Sequence, residues 1–326
     1  MKKLLHRTET YLALILVLFC IVVQVRSGQF FTANNLVDLV VSMIVPTIFC
    51  MGMLMVMITG GIDVSFTAAA SLAVFIGTDI LLKIDYKGSV IAAFALVLVL
   101  TTAMGAINGL LIAVIELPPL IVTLGTMSIF NGFLMGVLNA SAQNTLPKGM
   151  NDFGVASLFK ATNKTLDLSS SMPYSIFILI GVIVITHLIL KHTMLGRGIY
   201  AVGGNVNAAR KTGIQVKKIK FFAYCYLGAL AGLGAVIRIC AIRYNPPGNM
   251  IGMEMNVIAA VVLGGTSLSG GKGGVIGAVL GIGLITVMEN SLLLLGISSY
   301  WQTLFTGMII VIGTAITSYR ASKAGK

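Results

Sequence analysis

The stretch GGTSLSGGKGG, Gly264 to Gly274, places six glycines around one lysine, a composition suited to cradling a phosphate. A Walker loop requires G-x-x-x-x-G-K-[ST], because the hydroxyl after the lysine holds the magnesium ion. Here Thr266 stands where the first glycine should be, and Gly273 follows Lys272 without a hydroxyl. The spacing fails twice, and no nucleotide site is expected on this chain. The three histidines, His6, His187 and His192, have no HExxH spacing. Cys20, Cys50, Cys225 and Cys240 stand singly in apolar runs, without the spacing of a metal site or a disulfide framework. No catalytic constellation and no metal site follow from these residues.

The remaining candidates are polar side chains in apolar surroundings. Glu289 is read as a carboxylate inside a hydrophobic segment, where ionisable groups mark function by default; Arg238 and Arg243 are its candidate partners. Asn108, Asn131 and Asn290 also fall within apolar runs. At such depth they bond to neighbouring helices or to a hydroxyl-rich solute. Asp63 precedes an apolar run, which suits either a helix-capping residue or a gating contact at the mouth of a path. These five residues, Asp63, Asn108, Asn131, Glu289 and Asn290, are the candidate substrate path.

The elements that position them are membrane helices. The chain has 326 residues, 57% hydrophobic and only 10% charged, with a mean hydropathy of +0.99; a soluble domain carries about 25% charged residues. Apolar segments fall near 11–25, 36–58, 66–82, 89–115, 118–138, 173–190, 220–242, 256–265, 275–295 and 300–318. The one at 256–265 is too short to cross a ~30 Å hydrocarbon layer at 1.5 Å per residue and reads as a half-helix or as part of a longer one. The expected fold is therefore all-α: a polytopic membrane bundle of about ten transmembrane or half-membrane helices, one domain over residues 1–326. Gly105 with Gly109, Gly228 with Gly232 and Gly277 with Gly281 have the spacing that lets helix backbones approach closely in lipid.

Charge sets the expected orientation. With the N-terminus in the cytoplasm, Lys2, Lys3 and Arg7, the seven Lys/Arg of loop 191–220, Lys272 and the tail residues Arg320, Lys323 and Lys326 all lie inside. That is fourteen of 22 basic residues, as the positive-inside rule asks. Both termini are then cytoplasmic and loop 139–172 is external. The net charge of +12 reads as topology; no basic face interleaved with aromatics exists to stack nucleic-acid bases.

Within the basic loop, RGIYAVGGNVNAARKTGI (197–214) carries a glycine pair, then Asn205 as a helix N-cap, then VNAARKT closed by Gly213. One or two helical turns of this kind are unstable alone and need something to dock on. This segment resembles the cytoplasmic loop of the permease subunits of ABC importers for ribose and related simple sugars. VMITGGIDVS (56–65), LPPLIVTLGTMSIFNG (117–132) and EMNVIAAVVLGGTSLSGGKGG (254–274) are similar to the family's other signatures, in the same order, so the likeness covers nearly the whole chain. It departs at Phe66-Thr67, where the family has Val-Gly.

The resemblance implies a multi-pass protein of the bacterial inner membrane that forms the translocation path for a simple sugar or sugar-like solute. It implies a second permease, identical or homologous, a soluble solute-binding protein and ATP-binding subunits that carry ATP and magnesium. This chain would bind no cofactor itself, and its contacts beyond protein would be with membrane lipid. Asn205, Ala208, Ala209, Arg210 and Gly213 would belong to a coupling helix docked on the ATPase, and the glycine-rich stretch 264–274 would be a structural turn. Two other readings remain open: a related permease for a nucleoside, an amino acid or a signal molecule, and a self-sufficient secondary transporter, which would carry more charge at the bilayer midplane.

Overall fold

The computed structural model describes residues 8–163 and 168–296, with single positions beyond them. In chain order the elements are α1 (Thr8–Ser27), α2 (Ala33–Ile58), α3 (Phe66–Lys83), α4 (Ile91–Ala113), α5 (Pro119–Gly132, running on into a π-helical turn Phe133–Val137), α6 (Lys148–Val155), β1 (Ser157–Asn163), β2 (Leu168–Pro173), α7 (Ser175–His192), α8 (Met194–Gly204), α9 (Val206–Lys211), α10 (Val216–Ile242), α11 (Met253–Leu263) and α12 (Val275–Leu294). Among the described residues eight helices are long and apolar enough to cross a membrane: α1 to α5, α7, α10 and α12. Its 11 residues make α11 about 16 Å long, half a hydrocarbon layer, as the short apolar run at 256–265 suggested. The apolar segment at 300–318 lies largely outside the described residues.

Helix α2 is the axis of the bundle. Every residue from Ile44 to Ile58, Pro46 apart, is buried, and α10, α12, α11 and α7 all pack against it. A helix without a charged or polar face over this stretch can be buried on every side. By contrast α1 is mostly exposed and meets the bundle along α12, through Leu12 on Leu284 and Met288 and through Val23 on Val287.

The glycine pairs do the work their spacing predicts. A Cβ at Gly105 would lie 2.6 Å from the Tyr224 carbonyl oxygen, and one at Gly228 would lie 2.5 Å from that of Thr101. Helices α4 and α10 therefore touch backbone to backbone. On α12, Gly277 faces the carbonyl of Gly264 and Gly281 that of Ala260, so α11 and α12 are clamped in the same way.

Loop 139–172 departs from expectation. It holds the amphipathic helix α6 and an antiparallel hairpin of β1 with β2, a minor strand element in a helical fold. SLFKATN and LSSSMP are short, polar on one side and lie between much longer apolar runs, so the hydropathy of the spans hides them. Met172 and Ser170 of β2 are buried, which ties the hairpin to the bundle.

Candidate functional site

The chain between α10 and α11 turns on residues that permit tight bends: Arg243 in left-handed conformation at φ 61°, Pro246–Pro247, Gly248 at φ 72° and Gly252 at φ 100°. The turn delivers Asn249 and the first turn of α11 to the middle of the bundle. There Glu254, buried, accepts hydrogen bonds from the Gly252 N–H at 2.8 Å and from Thr67 Oγ1 at 2.6 Å. Glu254 thus pins the start of α11 onto α3. The departure from the family pattern at Phe66-Thr67 falls on this contact: Thr67 supplies the hydroxyl, and Phe66 packs edge-on against Phe49 with centroids 5.4 Å apart. Glu289 is therefore not alone as a carboxylate among the helices. The sequence signal for Glu254 was weak, because an acid at a helix start reads as a dipole partner.

Beside α11 lies a cavity of about 380 Å³, lined by Ser42 and Pro46 of α2, Arg238 of α10, Asn249, Asn256 of α11, and Thr286, Glu289 and Asn290 of α12, with apolar side chains between them; Glu254 and Thr67 are not part of its lining. The volume is that of a small-molecule site, and the lining is richer in polar than in apolar side chains. Pro46 has no N–H, so the helical hydrogen bond to the Ser42 carbonyl is not made. Glu289 Oε1 accepts from Asn256 Nδ2 at 2.9 Å, Arg238 Nε donates to Asn249 Oδ1 at 3.1 Å, and Asn290 Nδ2 donates to the Thr286 carbonyl at 3.1 Å. The ion pair proposed between Glu289 and Arg238 or Arg243 is not formed. The pairs found among the described residues are Lys83–Asp79, Lys87–Asp85 and Arg210–Glu116. Instead each charged group of the cavity is held by an asparagine, and acid and base face one space.

This arrangement predicts the behaviour of Glu289. In Glu289→Gln the amide oxygen still accepts from Asn256, and transport is expected to stay within about threefold of normal. In Glu289→Leu the Asn256 amide loses its partner at a part-buried position, a cost of about 1–3 kcal/mol, and uptake is expected to fall by tenfold or more. Uptake of radiolabelled solute into cells, normalised to permease in the membrane, checks both; equal rates would show that the carboxylate is dispensable.

The other path candidates are elsewhere. Asp63, between α2 and α3, accepts from the N–H and hydroxyl of Ser65, each at 2.7 Å, and from Asn108 Nδ2 at 3.4 Å; Asn108 also donates to Ser65 Oγ at 2.7 Å. Asp63 and Asn108 are both buried, and neither lines the cavity. Asp63 is not itself the N-cap of α3; that position is Ser65, which the carboxylate holds, and Asn108 ties this start to α4. Asn131, near the end of α5, does not line the cavity either.

The basic loop folds into α8 and α9. Thr193 Oγ1 accepts from the Gly196 N–H at 3.0 Å and Asn205 Oδ1 from the Ala208 N–H at 3.0 Å, so both short helices are capped by side chains. Gly213, at φ 82°, closes α9. The alanine pair is divided. Ala208 is exposed with Asn207, Arg210 and Lys211, whereas Ala209 is buried and packs with Val202 and Val216. Ala209 holds α9 on its own chain and is not presented to a partner, a correction to its expected place on a docking face.

The glycine-rich stretch is a joint. The Gly271 N–H donates to the Ile58 carbonyl at 2.9 Å, and Tyr200 Oη donates to the Gly273 carbonyl at 2.8 Å. Burial raises the Tyr200 pKa, so the phenol stays a neutral donor. A Cβ at Gly203 would overlap the Ile58 carbonyl oxygen, and one at Gly270 would lie 2.8 Å from the Gly60 nitrogen. Three glycine-bearing backbones, from the end of α2, the end of α8 and the loop before α12, meet without side chains between them. Gly270 and Gly271 take positive φ of 86° and 73°, which only glycine adopts at little cost. Lys272 is exposed at the surface of this joint.

Comparison with known proteins accords with this architecture. The family model described as branched-chain amino acid transport system / permease component matches residues 35–313. The ribose import permease protein RbsC of Escherichia coli K12 is 34% identical over 296 residues, covering 90% of this chain and 89% of its own. A probable ABC transporter permease, y4mJ of Sinorhizobium fredii, is 33% identical over 98% of this chain and 92% of its own length. The autoinducer 2 import system permease protein LsrC of Yersinia enterocolitica is 31% identical over 94% of this chain and 81% of its own. No solved structure matches the chain. With eight apolar helices, a half-length α11 and a family match that runs from α2 to beyond α12, this chain belongs to the family of ABC transport-system permease components and is a multi-pass protein of the inner membrane.

Proposed function

We propose that this permease carries a simple sugar or sugar-like solute through the cavity between α2, α10, α11 and α12. The supporting observation is the lining: three asparagines, a serine and a threonine supply donors and acceptors in excess of fixed charge, the pattern that a polyhydroxylated molecule satisfies. Relatives named as ribose and autoinducer 2 import permeases point to the same substrate class. The end of the bundle that bears α8, α9 and the glycine joint is cytoplasmic, in accord with its seven loop Lys/Arg, and the β1–β2 hairpin is external. A solute-binding protein delivers substrate at the hairpin end, ATP-binding subunits dock at α9 and hydrolyse ATP, and a second permease, identical or homologous, completes the path. The chain itself only changes which side the cavity faces, so it is not an enzyme and holds no cofactor.

One feature favours a second reading. Arg238 and Glu289 line the same space without pairing, an arrangement that also suits a zwitterionic amino acid. Uptake of labelled ribose by cells expressing the whole importer, competed with unlabelled pentoses, hexoses and leucine, separates the two. Competition by sugars alone is expected. Competition by leucine alone would select the amino acid, and no saturable uptake of any sugar would overturn the proposal.

A further inference from the structure

A second cavity, of about 270 Å³, opens where the turn between α4 and α5 meets α9 and the first turn of α10. Its charged lining is Glu116, Arg210, Lys217 and Lys220. Arg210 spends its charge on Glu116 at 3.3 Å, which leaves two lysines in excess. Lys217 Nζ reaches only the Val114 carbonyl, at 3.4 Å. The rest of the lining is apolar: Leu117, Pro118, Pro119 and Val206 among others. Next to it along the chain Val114, Ile115, Leu120 and Ile121 are exposed.

The level of this cavity in the membrane follows from helix length. The 27 residues of α10 span about 40 Å, more than the ~30 Å hydrocarbon layer. Helix α10 is thus long enough for its start, with Lys217 and Lys220 at its second and fifth positions, to reach the lipid headgroups at the basic end of the bundle, beside the exposed apolar residues of the α4–α5 turn. A basic pocket between membrane helices at that level, with an apolar rim, is matched to a lipid phosphate.

We propose that this cavity binds the headgroup phosphate of one anionic phospholipid, with Lys217 and Lys220 as its counter-charges. A phosphate here also neighbours Arg210 at the end of α9, so the bound lipid braces the α4–α5 turn against the loop that carries α9.

The test uses the complete importer purified in mild detergent, titrated with phosphatidylglycerol or phosphatidylcholine and read by native mass spectrometry. Wild type should retain phosphatidylglycerol with roughly tenfold preference, and the double variant Lys217→Gln/Lys220→Gln should lose that preference while remaining monodisperse. Lys83→Gln/Lys87→Gln, at the opposite end of the bundle, should keep it. Equal retention of the two lipids by wild type, or unchanged preference in the lysine variant, would overturn the proposal. Displacement of the lipid by millimolar inorganic phosphate would show a free-anion site and overturn the lipid as ligand. Preference in the isolated permease that vanishes in the complete importer would show that a partner subunit fills the cavity, and would overturn it as well.

Discussion

Gly203→Ala is expected to abolish transport and to leave little folded protein, while Gly204→Ala, one residue on, is expected to be silent. The difference is steric. A methyl group at 203 overlaps the Ile58 carbonyl oxygen and lies 2.5 Å from the Gly271 nitrogen, so it enters the hydrogen bond that joins those two residues; a methyl at 204 meets nothing within 4 Å. Neither glycine has positive φ, so backbone conformation does not distinguish them. Overpacking of this kind costs about 1–3 kcal/mol or more, and here it would push apart the ends of α2 and α8 and the loop leading to α12. Because α2 and α12 both line the polar cavity, the same displacement reaches the substrate path. Size-exclusion profiles of fluorescently tagged permease, thermal midpoints and uptake rates measure the effect. Two variants that behave alike would show that the joint yields easily and transmits nothing.

Ala208→Arg is expected to separate folding from coupling. Ala208 is exposed on α9, so a charged side chain there leaves the spans and the contact of Ala209 with Val202 and Val216 undisturbed. If α9 is the docking helix for the ATPase, the arginine places bulk and unpaired charge in that interface, where central contacts are worth ~2 kcal/mol or more, about thirtyfold in affinity. The variant should reach normal levels in the membrane yet lose copurifying ATP-binding subunit and substrate-stimulated hydrolysis together, and Ala208→Ser should retain both. Ala209→Arg should fail differently, by driving charge into the chain's own apolar contact and lowering the amount of folded permease. Normal hydrolysis in well-expressed Ala208→Arg would place the docking surface elsewhere.

The sequence alone determined the membrane class of the protein, most of its spans and the capped α9; it left α11 open between a half-helix and part of a longer one. Each feature so determined rests on a short-range property: the length of an apolar run, or a capping residue beside a glycine. Close helix contacts at Gly105 with Gly109 and at Gly228 with Gly232 were legible for a similar reason, but that these two pairs meet each other was not. Which polar residues share a site was not legible. Spans such as α4 and α5 carry apolar residues on every side, so their sequences hold little record of which face meets protein and which meets lipid. Only the tertiary structure brings Arg238, Asn249 and Asn256 to Glu289, closes Asp63 and Asn108 into a separate network, and pairs Glu254 with Thr67, 187 positions away. The glycine-rich stretch shows the same division. Its failed Walker spacing excluded a phosphate cradle, but the need for glycine became physical only where three backbones, remote in sequence, come within hydrogen-bonding distance and leave no room for a side chain.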